Sequence, residues 1–297
     1  MSNVTRAGTL QSQSYIMGQI GRNTAQYVDL QQQITTGQKT QRFSGMANEA
    51  AQTINLSNNY DSLNQFVKSG DTASSRLSGV NNSIETILDV ATRFRAQLMQ
   101  AMTSDQADDG RIDLVADGAL QEVSGALNID LGGVYLFGGV KSDTPPVDLT
   151  DPIKNSNGTF YSGADELMQT RIDSNTVLSY GTTANRQGFK DIVAALQRVT
   201  SGSASLSELE TALDEMNSAI SDITQLQAEV GHQMKVVETA KSRNDATKAT
   251  VETQLGNLRD VDVSAAMVQL TQRETILQAS YVMISKQNNL SLANYLN

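Results

Sequence analysis

The chain has a single histidine, His232, and no cysteine, and these two facts limit the chemistry open to it. Disulfides, thiolate metal sites and cysteine nucleophiles are removed together. His232 lies between Val230 and Met234 in a helical pattern, with no second imidazole or thiolate to partner it. It reads as a solvated position on a helix face. Asp108–Asp109 and the pair Asp148 and Asp151 are of the residue type that binds cations, but neither has calcium-loop spacing. They read as a helix start and a loop. Gly132–Gly133–Val134–Tyr135–Leu136–Phe137–Gly138–Gly139 has the glycine content of a phosphate loop. It lacks the Lys–Ser/Thr of a P-loop and a strand-led G-x-G-x-x-G. It reads as chain leaving a helix, with glycine where positive φ or close backbone approach is required. No nucleophile, base and oxyanion site can be assembled from this inventory. The expectation is a non-enzyme with no catalytic residue, no cofactor and no metal.

Charge and composition narrow the class further. There are 22 Lys and Arg against 32 Asp and Glu, a formal net charge of −10, and no basic patch interrupts the excess. Such a surface repels phosphate, so neither nucleic acid nor an anionic membrane is an expected partner. No stretch approaches the roughly 20 apolar residues of a membrane span. The start, Met1–Ser2–Asn3–Val4–Thr5–Arg6, has no charged segment followed by an apolar one, so a cleaved secretory signal is not expected. Aromatics are 5% and tryptophan is absent, a balance that suits aliphatic helical seams better than a thick globular core.

The elements that would position any functional residue are helices of unusual length. An apolar 3-4 spacing runs from Leu56 through Leu77, Val80, Ile84, Ile87, Phe94 and Leu98 to Ala101, with no proline. A second runs from Leu206 through Leu213, Met216, Ile220 and Ile223 and keeps its register through Lys241, Asn244 and Val251 to Leu258. These are heptad seams, and each predicts a helix of roughly 70–80 Å at about 1.5 Å per residue. Ser205–Leu206–Ser207–Glu208 is a capping box that places an oxygen over the orphan amides of the second helix. Ser104, Asp105, Asp108 and Asp109 separate the first long helix from a shorter one over about residues 108–130.

The two ends form a separate pair of weaker seams. Leu10, Met17, Ile20, Tyr27 and Ile34 recur in the first, with Gln13, Thr24 and Gln31 between them. Val263, Met267, Leu270, Leu277, Tyr281 and Ile284 recur in the second, with Glu274 and Asn288 in register. Seams so interrupted do not hold a fold alone. They are expected to be disordered in the monomer and to pair with each other or with neighbouring subunits. Between the helical halves the texture changes: all three prolines, Pro145, Pro146 and Pro152, fall close together. Asn157–Gly158 is a hairpin-turn signal, Leu167–Ile172 alternates, and Thr176–Tyr180 is strand-like. The fold class is therefore mainly α: a long antiparallel helical rod or coiled-coil bundle from the two halves, with a small β-rich insert. The expected domains are 1–42 with 256–297, 43–137 with 188–255, and the insert 138–187.

Ends, rods and insert together resemble the flagellin family over essentially the whole chain. The N-terminal resemblance is carried by a helix followed by Leu30–Gln31–Gln32–Gln33–Ile34–Thr35–Thr36–Gly37–Gln38–Lys39. At the C-terminal end it is carried by Asp260–Val261–Asp262 before a helix with Leu270, Ile276–Leu277 and Ala279, then Gln287–Asn288 before Leu290–Ser291–Leu292. Arg42–Phe43–Ser44–Gly45 departs from the family's usual Ser/Asp-rich loop, and the insert is short. Within the family, Gly133–Gly139 followed by Thr144–Pro145–Pro146, Tyr161–Ser162–Gly163 with Gly188–Phe189, and the ending Leu292–Leu296 resemble members at the hook–filament junction more than the filament subunit. The resemblance implies a structural adaptor there, with flagellin, the polymerising subunit, as the alternative. It implies export by the flagellar type III route without a cleaved signal and an extracellular place on the bacterial flagellum. The implied partners are copies of the chain in a ring or short helical layer, a neighbouring hook-associated protein, flagellin and an export chaperone. The resemblance also implies that the terminal helices line the axial core and that the insert faces outward. Arg93–Ala101 resembles the flagellin region read by a mammalian receptor, but the reading preferred for it is an ordinary exposed face beside the Phe94–Leu98 seam.

Overall fold

The computed structural model describes residues 2–40, 49–103, 111–150, 159–200 and 204–293. Among them are six helices: α1 (Ser2–Thr36), α2 (Ala50–Thr103), α3 (Arg111–Leu127), α4 (Gln187–Thr200), α5 (Leu206–Arg259) and α6 (Val263–Ala293). One antiparallel pair of strands, β1 (Met168–Arg171) and β2 (Val177–Tyr180), pairs Met168 with Tyr180 and Arg171 with Val177. The fold is mainly α, and α2 and α5 have 54 residues each. The expected helix over 108–130 spans Arg111–Leu127. The Ser104–Asp109 cluster, Asp151, Pro152, the Asn157–Gly158 turn, Arg42–Gly45 and the Asn294–Leu296 ending lie outside the described residues. The chain divides into two compact units, residues 1–60 with 249–297, and residues 61–248.

The unit of residues 61–248 holds the main core. Leu77, Val80, Ile84, Ile87, Phe94 and Leu98 of α2 are buried, as are Met216 and Ile223 of α5, while Leu213 and Ile220 are partly buried against the same core. Here α2 and α5 run antiparallel, since Lys241 meets Asp71 while Gln227 meets Glu85. Near its start α5 buries a wider face than a heptad seam, because Ala212, Ala219 and Leu226 are also fully or nearly fully enclosed. The cause is α4, whose Gly188 sits so close to Ala219, Asp222 and Ile223 that a Cβ there would clash. Two of the polar residues in the second seam, Asn244 and Lys241, are accommodated individually. Asn244 donates to the Ile172 carbonyl at 2.7 Å. Lys241 lays its methylenes over Gly70 and pairs with Asp71 at 2.7 Å.

At the capping box Glu208 accepts from the Ser205 backbone N–H, and the Ser205 hydroxyl also donates to it, each at 2.7 Å. The hydroxyl is thus turned toward the carboxylate rather than over the helix amides. These bonds hold the Glu208 carboxyl below its ordinary range. In the glycine-rich loop, Gly132, Gly133 and Gly139 have positive φ. Leu136 presses on Gly79 of α2, and Phe137 meets Phe189 edge-on with centroids 5.7 Å apart. The loop is a packing wedge on the core. The β1–β2 hairpin is fastened to both long helices by Arg76 to Tyr180 at 2.9 Å and Arg243 to Asp173 at 2.7 Å.

Candidate assembly interface

The other unit is built on the pairing of α1 with α6. α1 stops at Gly37, whose positive φ lets its N–H bond the Gln33 carbonyl at 2.8 Å, an αL helix ending. The next residues add to the chain between α5 and α6. Gln38 bridges Asp260, the Lys39 N–H donates to Arg259 at 2.7 Å, and the Val261 N–H donates to Gly37 at 2.9 Å. The Lys39 ammonium donates to the Asn257 carbonyl at 2.7 Å, placing a cation at the negative end of α5. Asp262 then caps α6, accepting from the Ala265 N–H at 3.0 Å. α1 and α6 are thereby tied together at one end by backbone bonds.

Along their length the two helices touch through one stripe each. On α1 it runs Ile16, Ile20, Asn23, Tyr27, Leu30 and Ile34, of which Ile20 and Leu30 are buried and the rest half-buried. On α6 it runs Ala266, Leu270, Arg273, Leu277, Ser280 and Ile284, of which Ala266 is buried and the rest half-buried. Arg273 donates to the Asn23 side chain across this seam. The sequence-predicted terminal residues therefore separate into two groups. Ile20, Tyr27, Ile34, Leu270, Leu277 and Ile284 face within the chain's own pair. Met17, Met267 and Tyr281 remain exposed. The side chain of Leu10 lies outside the described residues.

α6 keeps more apolar surface uncovered than its pairing with α1 buries. Val263, Met267, Val268, Ile276, Tyr281, Val282 and Met283 are all exposed, and at about 100° per residue they surround the α1-facing stripe on both flanks and behind. Apolar side chains left open on several sides of a helix are surface that further elements can cover. Sequence reasoning placed one seam on α6, named Ile276 only for the family resemblance, and missed Val268, Val282 and Met283. The signal was the recurrence of apolar residues outside the seam within Val263–Val268 and Ile276–Met283.

His232 is exposed on α5. Asp148 accepts from the N–H and hydroxyl of its own loop residue Thr150. Among the described residues no group of three or more His, Asp or Glu is placed to hold a metal ion, and no helix is long and apolar enough to cross a membrane.

The comparisons with known proteins agree with this geometry. Residues 8–142 match the family described as the bacterial flagellin N-terminal helical region, and residues 213–296 match the bacterial flagellin C-terminal helical region. The flagellar hook-associated protein 3 of Escherichia coli (strain K12) is 23% identical over 92% of this chain and 94% of its own length. The protein of the same name from Salmonella typhimurium is 22% identical over 93% and 95%. Among solved structures, Bacillus cereus FlgL superposes with a TM-score of 0.58 at 18% identity, covering 68% of this chain and 99% of that one. The flagellar hook associated protein-3 of Legionella pneumophila gives 0.57 at 13% identity, covering 68% and 98%. These structural likenesses speak to the fold.

Proposed function

We propose that this chain, which belongs to the bacterial flagellin family, is a structural adaptor at the hook–filament junction. Members of this family are structural components of the bacterial flagellum and assemble with other flagellar proteins. The observation that carries the finer reading is that the two curated relatives above, matched over more than nine-tenths of both chains, are hook-associated protein 3. The exposed apolar faces of α6 support it, because they are surface that neighbouring helices can cover.

In this reading α1 and α6 form the terminal coiled-coil domain of the axial core, loosely held in the free chain and ordered on assembly. Residues 43–137 with 188–255 form the rod, whose seam at Leu77–Leu98 and Leu213–Ile223 keeps it rigid, and 138–187 is the outward insert. The chain leaves the cell through the flagellar export apparatus with a chaperone, without a cleaved signal. It stands outside the cell as a ring or short helical layer, with a hook-associated protein on one side and flagellin on the other. It has no catalytic role. Cells lacking the gene should build hooks and shed flagellin into the medium. Normal filaments on such cells would overturn the adaptor role.

A further inference from the structure

We propose that Met17, Met267 and Met283 are oxidation-sensitive sites on the terminal helices of the unassembled chain, and that converting their thioethers to sulfoxides blocks its addition to the flagellum. The proposal rests on the reading of α1 and α6 as the assembly surface. The chain has ten methionines and no cysteine, so thioethers are its only sulfur. Three lie open on the terminal helices: Met17 is 55%, Met267 55% and Met283 62% exposed. Met267 shares one flank of α6 with Val263 and Tyr281, and Met283 shares the other with Ile276, so each flank of the α1-facing stripe carries one. The contrast within the chain is sharp. Met216 of α5 is fully enclosed, while Met99 of α2 is 46% exposed but belongs to the other unit.

The oxidant class is a peroxide. A sulfur lone pair attacks one peroxide oxygen, an S–O bond forms as the O–O bond breaks, and the departing hydroxide takes the proton from the sulfur-bound oxygen to leave as water. Sulfur loses two electrons and hydrogen peroxide gains them, so the step needs no further reactant. The product is a polar, chiral side chain where a flexible apolar one stood, and reductases can reverse it. Buried between helices, its oxygen would require a donor. The surrounding Val263, Ile276 and Tyr281 offer one hydroxyl at most.

The test treats the purified full-length chain with hydrogen peroxide, maps sulfoxides by peptide mass spectrometry, and scores addition to hook fragments by electron microscopy. Met17, Met267 and Met283 should oxidise and Met216 should not. Addition should fall by about tenfold or more, the loss expected when a polar group is buried without a partner. The M17L/M267L/M283L variant should keep adding after the same treatment, whereas M99L alone should not protect. Methionine sulfoxide reductases should restore addition by the oxidised chain. Full sulfoxidation at the three sites with unchanged addition would overturn the proposal, as would equal loss by the triple variant. Should that variant fail to add even untreated, the reductase decides: recovery supports the proposal and no recovery overturns it. An untreated natural chain that never adds to hook fragments would instead remove the adaptor reading, and the proposal with it.

Discussion

Arg273 of α6 donates a hydrogen bond to the Asn23 side-chain oxygen of α1 at 3.1 Å, joining residues 250 positions apart. Both lie on the stripes by which the terminal helices meet. A polar pair in a half-buried seam fixes register, because a slide of one turn, about 5.4 Å, would leave the guanidinium facing apolar side chains. It stabilises one alignment of α1 on α6 where the interrupted seams alone would tolerate several.

Arg273→Ala should therefore loosen the terminal pair at a cost of about 1 kcal/mol and leave the melt of the 61–248 unit unchanged. Limited proteolysis of the free chain should cut residues 1–40 and 263–297 first, leaving a core of about residues 43–255. The variant should lose its ends faster still. Ends as resistant as the long helices would contradict the loose-terminus account.

The seam of the larger unit should respond very differently. Ile84 is wholly enclosed between Val80 and Ile87, so Ile84→Asp would strand a carboxylate without a partner and cost on the order of 3–5 kcal/mol. His232 is exposed on α5, and His232→Ala should shift the melting temperature little. Equal shifts by calorimetry would mean that the core has been misplaced.

These two cases also mark what could be read from residue order alone. The α2 seam was legible because thirteen turns repeat one spacing without a proline, a signal far stronger than any local propensity. On α5 the same arithmetic found Met216 and Ile223 but not the enclosure of Ala212 and Ala219. That enclosure depends on α4, whose Phe189, Ile192, Leu196 and Val199 repeat over only 14 residues. The role of Leu136 and Phe137 was hidden for a related reason. Glycine at 79 and 188 makes room for partners distant in sequence, and no spacing rule identifies them. On the terminal helices periodicity found the residues but could not separate Ile20, which faces within the chain, from Met17, which does not.

Acid should weaken the fold through two carboxylates. Backbone N–H bonds from Asn175, with further bonds from Thr176 and the charge of Arg243, hold Asp173 below its ordinary range. The Ser205 hydroxyl and N–H do the same for Glu208. A carboxyl depressed in the folded state contributes stability above its ordinary value, 4.5 for glutamate and 3.8 for aspartate, and loses it as pH falls through the lower folded value. A chain carrying Glu208→Gln and Asp173→Asn should show a flatter fall of melting temperature in that acid range. A fall as steep as the parent's would exclude both groups.

Ionic strength should matter to assembly because charge is unevenly divided. Residues 61–248 carry 26 Asp and Glu against 15 Lys and Arg, whereas residues 1–60 with 249–297 carry 6 against 7. Copies laid side by side repel through the acidic unit. Raising ionic strength from about 0.01 M to 0.15 M shortens the screening length from about 30 Å to about 8 Å and should increase addition to hook fragments, measured by sedimentation. Addition that is insensitive to salt would place the acidic units of neighbouring copies beyond each other's reach.

The adaptor role itself turns on where growth stops. A filament subunit offers a surface that fits its own copy head to tail, and a contact that does not close propagates without limit. An adaptor is matched to a different protein on each side. The measurement is electron microscopy of hook fragments incubated with the purified full-length chain and then with flagellin. The expected result is a short layer of the chain that does not elongate, from which flagellin then grows, with deletion of residues 263–297 abolishing the layer. Long filaments built from this chain alone would contradict the account and make it a filament subunit.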